Sequence, residues 1–202
     1  MTPRPDWDPG WNLAFHAAFP MFPLPLMIPG RSATRSHDPL TSSRVVFIGL
    51  FSSTILYVVA FWFIHPTGGV PEYAALIIAL GIAMHFALKR VVSRAMAAPV
   101  DEATLVPVFR TAGFIGVGLA MAVELIAIVT TFFGAPFWVI VLGAAISFSG
   151  LLRVAPSQRV FRWCDDLLHA QGKATRMTEA WRRLLTDPPP PAPPPPPPAP
   201  AP

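Results

Sequence analysis

Four long apolar segments constrain the fold of this chain more than any other feature of its sequence. They are predicted at 45–64, 71–88, 109–133 and 136–152, and no Lys, Arg or Asp interrupts their interiors. Each has about the length that a helix needs to cross a membrane, roughly 17–25 residues. Since lipid offers no partners to backbone polar groups, the segments must be helical. The predicted class is therefore an all-α membrane protein with a four-helix transmembrane domain at 45–152.

The composition supports the same class. Of the 202 residues, 53% are hydrophobic and only 13% are charged. A soluble domain usually carries about 25% charged residues. The four segments occupy so much of the chain that we expect no separate soluble core.

The distribution of basic residues predicts the orientation of the helices. Lys and Arg lie before the first segment and after the second and fourth, whereas the loops at 65–72 and 134–136 have none. By the positive-inside rule, both termini and the loop at 89–104 are expected in the cytoplasm. The basic residues do not cluster with aromatic residues on one surface, so nucleic acid is not an expected partner.

The segments outside the helical domain predict contacts at the membrane surface. Residues 1–44 are rich in proline and aromatic residues, and we expect this arm to lie on the membrane, to pack over the bundle or to bind a partner subunit. Residues 153–187 contain two amphipathic stripes, which favour binding to the inner leaflet or helix-mediated oligomerisation. Residues 188–202 form a polyproline tail, expected to be solvated and disordered or bound in an aromatic groove of a partner.

One carboxyl group lies within the third apolar segment. Glu124 is placed near the middle of the membrane, where an acidic residue costs roughly 2.5–3.5 kcal/mol, so it should face the bundle in its protonated form. Ala112, Gly116 and Ala120 precede it at intervals of four, on one face of the helix. Small residues at that spacing allow close helix packing. Hydroxyl groups on the neighbouring segments are candidate partners: Ser52, Ser53, Thr54, Ser147 and Ser149.

Two functions for Glu124 are compatible with this pattern. It either binds a proton or cation during transport, or it forms a hydrogen bond that holds the packing seam together. His85 and Arg110 are possible accessory groups for proton entry. His85 lies one turn before Lys89, near the inner end of its segment. Its depth differs from that of Glu124, so a direct contact between them is not expected.

No feature of the sequence predicts a catalytic site, a metal site or a cofactor. The single cysteine, Cys164, cannot form an internal disulfide, and no Cys/His spacing is typical of metal binding. The N-terminal residues lack the pattern of a cleaved signal peptide, so the first apolar segment is expected to be retained.

The two hairpins, the segment GVGLA at 116–120 and Glu124 resemble the proteolipid (c-type) subunits of rotary ATPases, especially the duplicated four-span kind. In this chain the small residues and the acid share one helix, and the linker at 134–136 is uncharged, unlike the proteolipid pattern. Residues 105–157, with Arg110, the GAP turn and RVAPS at 153–157, are similar to uncharacterised four-span bacterial membrane proteins. That resemblance implies a bacterial inner membrane and no particular activity.

These observations predict a non-enzymatic membrane protein that acts as a scaffold, accessory subunit or regulator. Its expected partners are the lipid bilayer and either a second copy or another membrane protein. The alternative is a small proton- or cation-conducting protein that uses Glu124.

Overall fold

The structure, a computed structural model, describes residues 8, 10–18, 39–64, 69, 72–98 and 101–186. Seven helices account for most of these residues: α1 (Gly10–Ala18), α2 (Pro39–Ile64), α3 (Glu72–Ala97), α4 (Glu102–Thr131), α5 (Phe137–Val154), α6 (Gln158–Ala170) and α7 (Met177–Thr186). Helices α2–α5 are long and apolar enough to cross a membrane. The all-α class with four candidate spans is thus confirmed. The predicted tail at 188–202 and most of the arm at 1–44 lie outside the described residues.

Three of the spanning helices continue well beyond the predicted segments, and the first of them, α2, starts at Pro39 instead of 45. Helix α3 reaches Ala97, past the predicted end at 88, and α4 starts at Glu102, before the predicted start at 109. With 30 residues, α4 is about 45 Å long, whereas the hydrocarbon core of a bilayer is about 30 Å thick. The Asp101 carboxylate accepts a hydrogen bond from the Thr104 amide (2.9 Å) and so caps this extended start.

Helices α2–α5 form a bundle around one apolar core, called here the bundle core. The closest association is between α4 and α5, and α3 packs against both. Helix α2 contacts α5 and carries α1 on its surface. The bundle core consists mainly of small and branched side chains: Phe47, Ile77, Met84, Leu88, Ala120, Val123, Ala127, Ala135, Val139, Leu151, Val154 and Ala155.

A second core, called here the distal core, lies at the end of the bundle where α3 and α4 extend past the predicted segments. Helices α6 and α7 fold against these extensions. The Phe161 ring lies 5.8 Å from the rings of both Phe109 and Trp181. The other members are Leu40, Val92, Met96, Leu105, Val106, Val160, Cys164, Leu168, Met177 and Ala180.

The distal core is a second apolar core that the sequence analysis did not predict, and it is built partly from the ends of the spanning helices themselves. The extensions of α3 and α4 carry apolar side chains beyond the predicted segments. When these side chains pack against the apolar sides of α6 and α7, the apolar surface of the extensions and that of α6 and α7 are both removed from water. The central residues of the two amphipathic stripes therefore face the chain's own helices instead of the inner leaflet or a second copy. Leu167, Leu184 and Leu185, at the edges of the stripes, are only partly buried.

Two polar contacts fix the distal helices in place. The ammonium group of Lys173 donates to the carbonyl oxygens of Met96 (2.6 Å) and Ala98 (2.5 Å), at the C-terminal end of α3. A cation suits this position because the last carbonyl groups of a helix lack intrahelical partners. The Asp165 carboxylate of α6 accepts from the backbone N–H of Met177 (2.5 Å) and from the Thr178 hydroxyl, at the start of α7.

Candidate functional site

The candidate site lies where α4 and α5 approach most closely. A Cβ atom added to Gly143 of α5 would lie 2.3 Å from the Ala127 Cβ atom and 3.7 Å from the Glu124 Cα atom. Added to Gly150, it would lie 3.0 Å from the Ala120 Cβ atom. The two backbones can approach this closely only because both positions of α5 lack a side chain.

The predicted seam residues of α4 take part in this packing to different extents. Ala112 and Ala120 are buried, and a Cβ atom on Gly116 would lie 2.6 Å from a methyl carbon of Val154. The seam also continues past Glu124 to Ala127. Sequence reasoning missed its other half, Gly143 and Gly150. The signal available was the helical spacing of three small residues, Gly143, Ser147 and Gly150, which places them on one side of α5.

Glu124 is fully buried among α2, α4 and α5. Its Oε2 atom lies 2.9 Å from the Thr54 hydroxyl of α2, at hydrogen-bonding distance. The Ser147 hydroxyl of α5, also fully buried, lies near the same carboxyl group, and its hydrogen-bonding contact is with the Met121 sulfur atom, at 3.9 Å. Among the described residues, Oε1 has no hydrogen-bond partner. The carboxyl group therefore joins α4 to α2 through Thr54, and α5 packs against the same turn of α4 at Gly143.

Of the five hydroxyl groups that the sequence offered, that of Thr54 lies within hydrogen-bonding distance of Glu124, and that of Ser147 lies nearby. The hydroxyls of Ser52, Ser53 and Ser149 donate to carbonyl oxygens of their own helices instead. Only Thr54 and Ser147 lie on the sides of α2 and α5 that face Glu124. Helix packing sets the rotation of α2 and α5 about their axes, and this rotation determines which hydroxyl groups face Glu124.

The two accessory candidates lie apart from the carboxyl group. His85 is half-buried, and its Nδ1 atom lies 3.0 Å from the Gly81 carbonyl oxygen of its own helix. Arg110 is exposed and lines an outward-facing groove of about 900 Å³, together with Val106, Phe114 and Arg183. In the described part of the chain, no hydrogen bond or ion pair joins either residue to Glu124.

Sequence reasoning missed a second buried polar cluster, centred on Arg44. This residue was considered only as a charge flanking the first segment, yet it is 1% exposed. Its guanidinium group forms a two-pronged ion pair with Asp8, at 2.6 and 3.1 Å, and its Nε atom donates to the Pro156 carbonyl oxygen at 3.1 Å. The Trp11 ring packs 5.3 Å from the guanidinium carbon.

Asp8 completes the cluster from the other side. Its carboxylate also accepts from the Gly10 amide (2.8 Å) at the start of α1 and from the Gln158 side chain (3.1 Å) at the start of α6. Burial by itself would raise the pKa of Asp8. The hydrogen bonds and the positive charge of Arg44 outweigh this effect and lower the pKa below its ordinary value of 3.8. The ion pair thus joins α1, α2 and the start of α6. The position of Asp8 before a helix start could have indicated a capping residue. Its ion pair with Arg44 could not have been predicted, because the two residues are far apart in the sequence.

The described residues offer neither a reactive thiol nor a cluster of metal ligands. Burial raises the pKa of the Cys164 thiol to about 12, so the thiol is not a nucleophile near neutral pH. Within the described ranges, no three His, Cys, Asp or Glu residues lie close enough together to hold a metal ion.

Comparison of the chain with models of protein families, with curated proteins and with solved structures finds no match. The resemblance to proteolipid subunits therefore stays a prediction. The length and apolar composition of its four long helices identify the chain as a candidate multi-pass membrane protein.

Proposed function

We propose that this protein is a non-enzymatic component of a bacterial inner membrane that acts as a scaffold or accessory subunit through contacts of its membrane helices. The supporting observation is the exposure of α2. Only 11% of its most apolar window is buried inside the protein, whereas the corresponding window of α5 is 44% buried. A helix with so few contacts to its own bundle retains most of its surface for lipid or for the helices of a partner.

Polar contacts hold α2 on the bundle despite this limited burial. Arg44 ties its first turns to Asp8 and Pro156, and Thr54 ties its middle to Glu124. A hydrogen bond between membrane helices contributes about 0.6–2 kcal/mol. In this proposal, Glu124 is a structural link, and the outward side of α2 carries the function. That side is apolar and includes Ile55, Leu56, Val59 and Phe63.

The proposed orientation places the distal core in the cytoplasm. Lys89 and Arg153 follow the second and fourth predicted segments at the end of the bundle that carries α6 and α7. Both termini are then cytoplasmic as well, in keeping with the positive-inside rule.

Single cysteines at matched positions test the proposal. Leu56→Cys places a thiol on the outward side of α2, and Ile82→Cys places one at a comparable position of α3; the two native side chains are 65% and 55% exposed. Native Cys164 is fully buried and does not compete for reagent. In native membranes treated with a bismaleimide, we expect cross-linked adducts at position 56 and few at position 82. A monomer in mild detergent, with no adducts at position 56, would contradict the proposal.

The unpaired oxygen of Glu124 favours one alternative function, proton conduction. A buried carboxyl group with a free oxygen can exchange a proton if water reaches it. Proton flux into liposomes would then be lost in Glu124→Gln and retained in Thr54→Val, which removes the link to α2 but keeps the carboxyl group. The absence of flux in the wild type, or equal flux in wild type and Glu124→Gln, would exclude this function.

A further inference from the structure

A cleft with a strongly basic mouth lies between α3, α5 and α6. It has a volume of about 580 Å³, and three cations line it: Lys89 of α3, Arg153 of α5 and Arg159 of α6. No acidic side chain lines the cleft in the part of the chain that the structure describes. Three basic side chains from three different helices therefore converge on one opening.

The charge of these side chains is uncompensated. All three are exposed, and none of them makes a hydrogen bond or ion pair with another described residue. Other arginines of the same chain are paired, such as Arg44 with Asp8 and Arg182 with Glu179. Three neighbouring cations without counter-charges repel one another, and an anion bound among them removes that repulsion.

The wall of the cleft is apolar, in contrast to its mouth. Leu88, Val92, Leu152, Val154 and Val160 line it, and Ser149 and Trp163 complete the lining. Leu152 is 53% exposed, so an apolar surface continues from the cleft along the outside of α5. Tryptophan beside basic residues is typical of the headgroup region of a membrane.

The cleft also lies at the expected depth of lipid headgroups. Lys89 and Arg153 directly follow the predicted ends of the second and fourth segments, at 88 and 152. The mouth is therefore at the membrane boundary. On one side of it Leu152 continues towards the hydrocarbon region, whereas on the other side Val92 and Val160 belong to the distal core.

We propose that this cleft binds one anionic phospholipid. Its phosphate group lies among Lys89, Arg153 and Arg159, and one acyl chain follows the apolar side of α5 at Leu152. A negatively charged headgroup satisfies all three cations, whereas a zwitterionic headgroup carries its own positive charge into the same basic mouth. Basic pockets between membrane helices bind anionic headgroups in this way.

Native mass spectrometry of the full-length protein in detergent tests the proposal. The protein is titrated with phosphatidylglycerol and, separately, with phosphatidylcholine of the same acyl chains. We expect one phosphatidylglycerol adduct that saturates, and markedly weaker binding of phosphatidylcholine. Each basic residue near a membrane surface contributes about a fivefold change in affinity. The triple variant K89Q/R153Q/R159Q should therefore bind phosphatidylglycerol on the order of a hundredfold more weakly.

Arg110→Gln is the matched control, because Arg110 is an exposed arginine at the same end of the bundle but lines a different groove. It should leave binding unchanged within about twofold. If the triple variant fails to fold, Arg159→Gln alone should still weaken binding about fivefold. Equal binding of the two lipids, an equal loss in Arg110→Gln, or retained binding without the three charges would overturn the proposal. Full displacement of the lipid by millimolar inorganic phosphate would also overturn it, since the cleft would then be a site for soluble anions.

Discussion

Replacing Gly143 with alanine adds one methyl group at the closest contact between α4 and α5. The new carbon would lie 2.3 Å from the Ala127 Cβ atom, whereas ordinary contact begins at 3.4 Å. The two carbons would therefore be about 1.1 Å too close, which lies on the steep repulsive side of the van der Waals potential. Neither atom belongs to a flexible side chain that could turn away, so the two helix backbones must separate.

The loss of stability caused by this separation depends on the atoms of α4 that surround the contact. The added carbon would also meet the Val123 carbonyl oxygen at 3.6 Å and the Glu124 Cα atom at 3.7 Å. Overpacking a well-packed core costs about 1–3 kcal/mol. We expect Gly143→Ala to lower the free energy of unfolding by this amount, because moving α4 also stretches the contact between Glu124 and Thr54.

Ala127→Gly supplies the compensating change. Alone, it should destabilise the protein by about 0.5–1 kcal/mol, the usual effect of glycine within a helix. In the double variant the methyl group is moved from α4 to α5, so the clash disappears. The measured coupling between the two substitutions should therefore be favourable by about 1–2 kcal/mol. Unfolding in mixed micelles with increasing denaturing detergent measures all four proteins of the cycle.

Gly118→Ala is the control within α4, since a Cβ atom there meets nothing within 4 Å. It should leave stability unchanged or raise it by up to about 1 kcal/mol. If Gly143→Ala is as stable as the wild type, or if the coupling between the two substitutions is zero, then the close contact between α4 and α5 does not exist.

Three further predictions concern the polar contacts. Asp8→Asn leaves Arg44 buried without a counter-charge and should cost about 3–5 kcal/mol near neutral pH; thermal unfolding in detergent measures it. Because the pKa of Asp8 is lowered in the folded protein, its contribution is present above 3.8 and is lost as the pH falls below that value. The difference between wild type and Asp8→Asn should therefore shrink from pH 5 to pH 3, and a constant difference would contradict the ion pair. Thr54→Val should cost about 0.6–2 kcal/mol in the same assay, and no change would mean that the contact with Glu124 does not hold α2. Lys173→Met should cost about 1 kcal/mol and increase hydrogen exchange at the C-terminal end of α3; unaltered exchange there would refute the capping contact.

The sequence predicted the bundle well because membrane helices follow a local rule. Long runs without charge must be helical in lipid, and the positions of Glu124, Gly116 and Ala120 on one helix face follow from helical periodicity. The ends of α3 and α4 were predicted less well. Residues after 88 and before 109 are amphipathic, so hydropathy alone ends each segment early, whereas their apolar sides continue the helices into the distal core.

The sequence alone therefore determined that the chain forms four apolar helices, and that one of them carries a carboxyl group on a face of small residues. Tertiary structure decided which groups meet that carboxyl: Thr54 from α2 and Ser147 from α5, but not Ser52, Ser53 or Ser149. It also decided that Arg44, which the sequence shows only as a charge beside an apolar segment, forms a buried ion pair with Asp8. The physical reason is that periodicity specifies the faces of a helix, whereas partners depend on how helices distant in sequence rotate and cross to bury those faces.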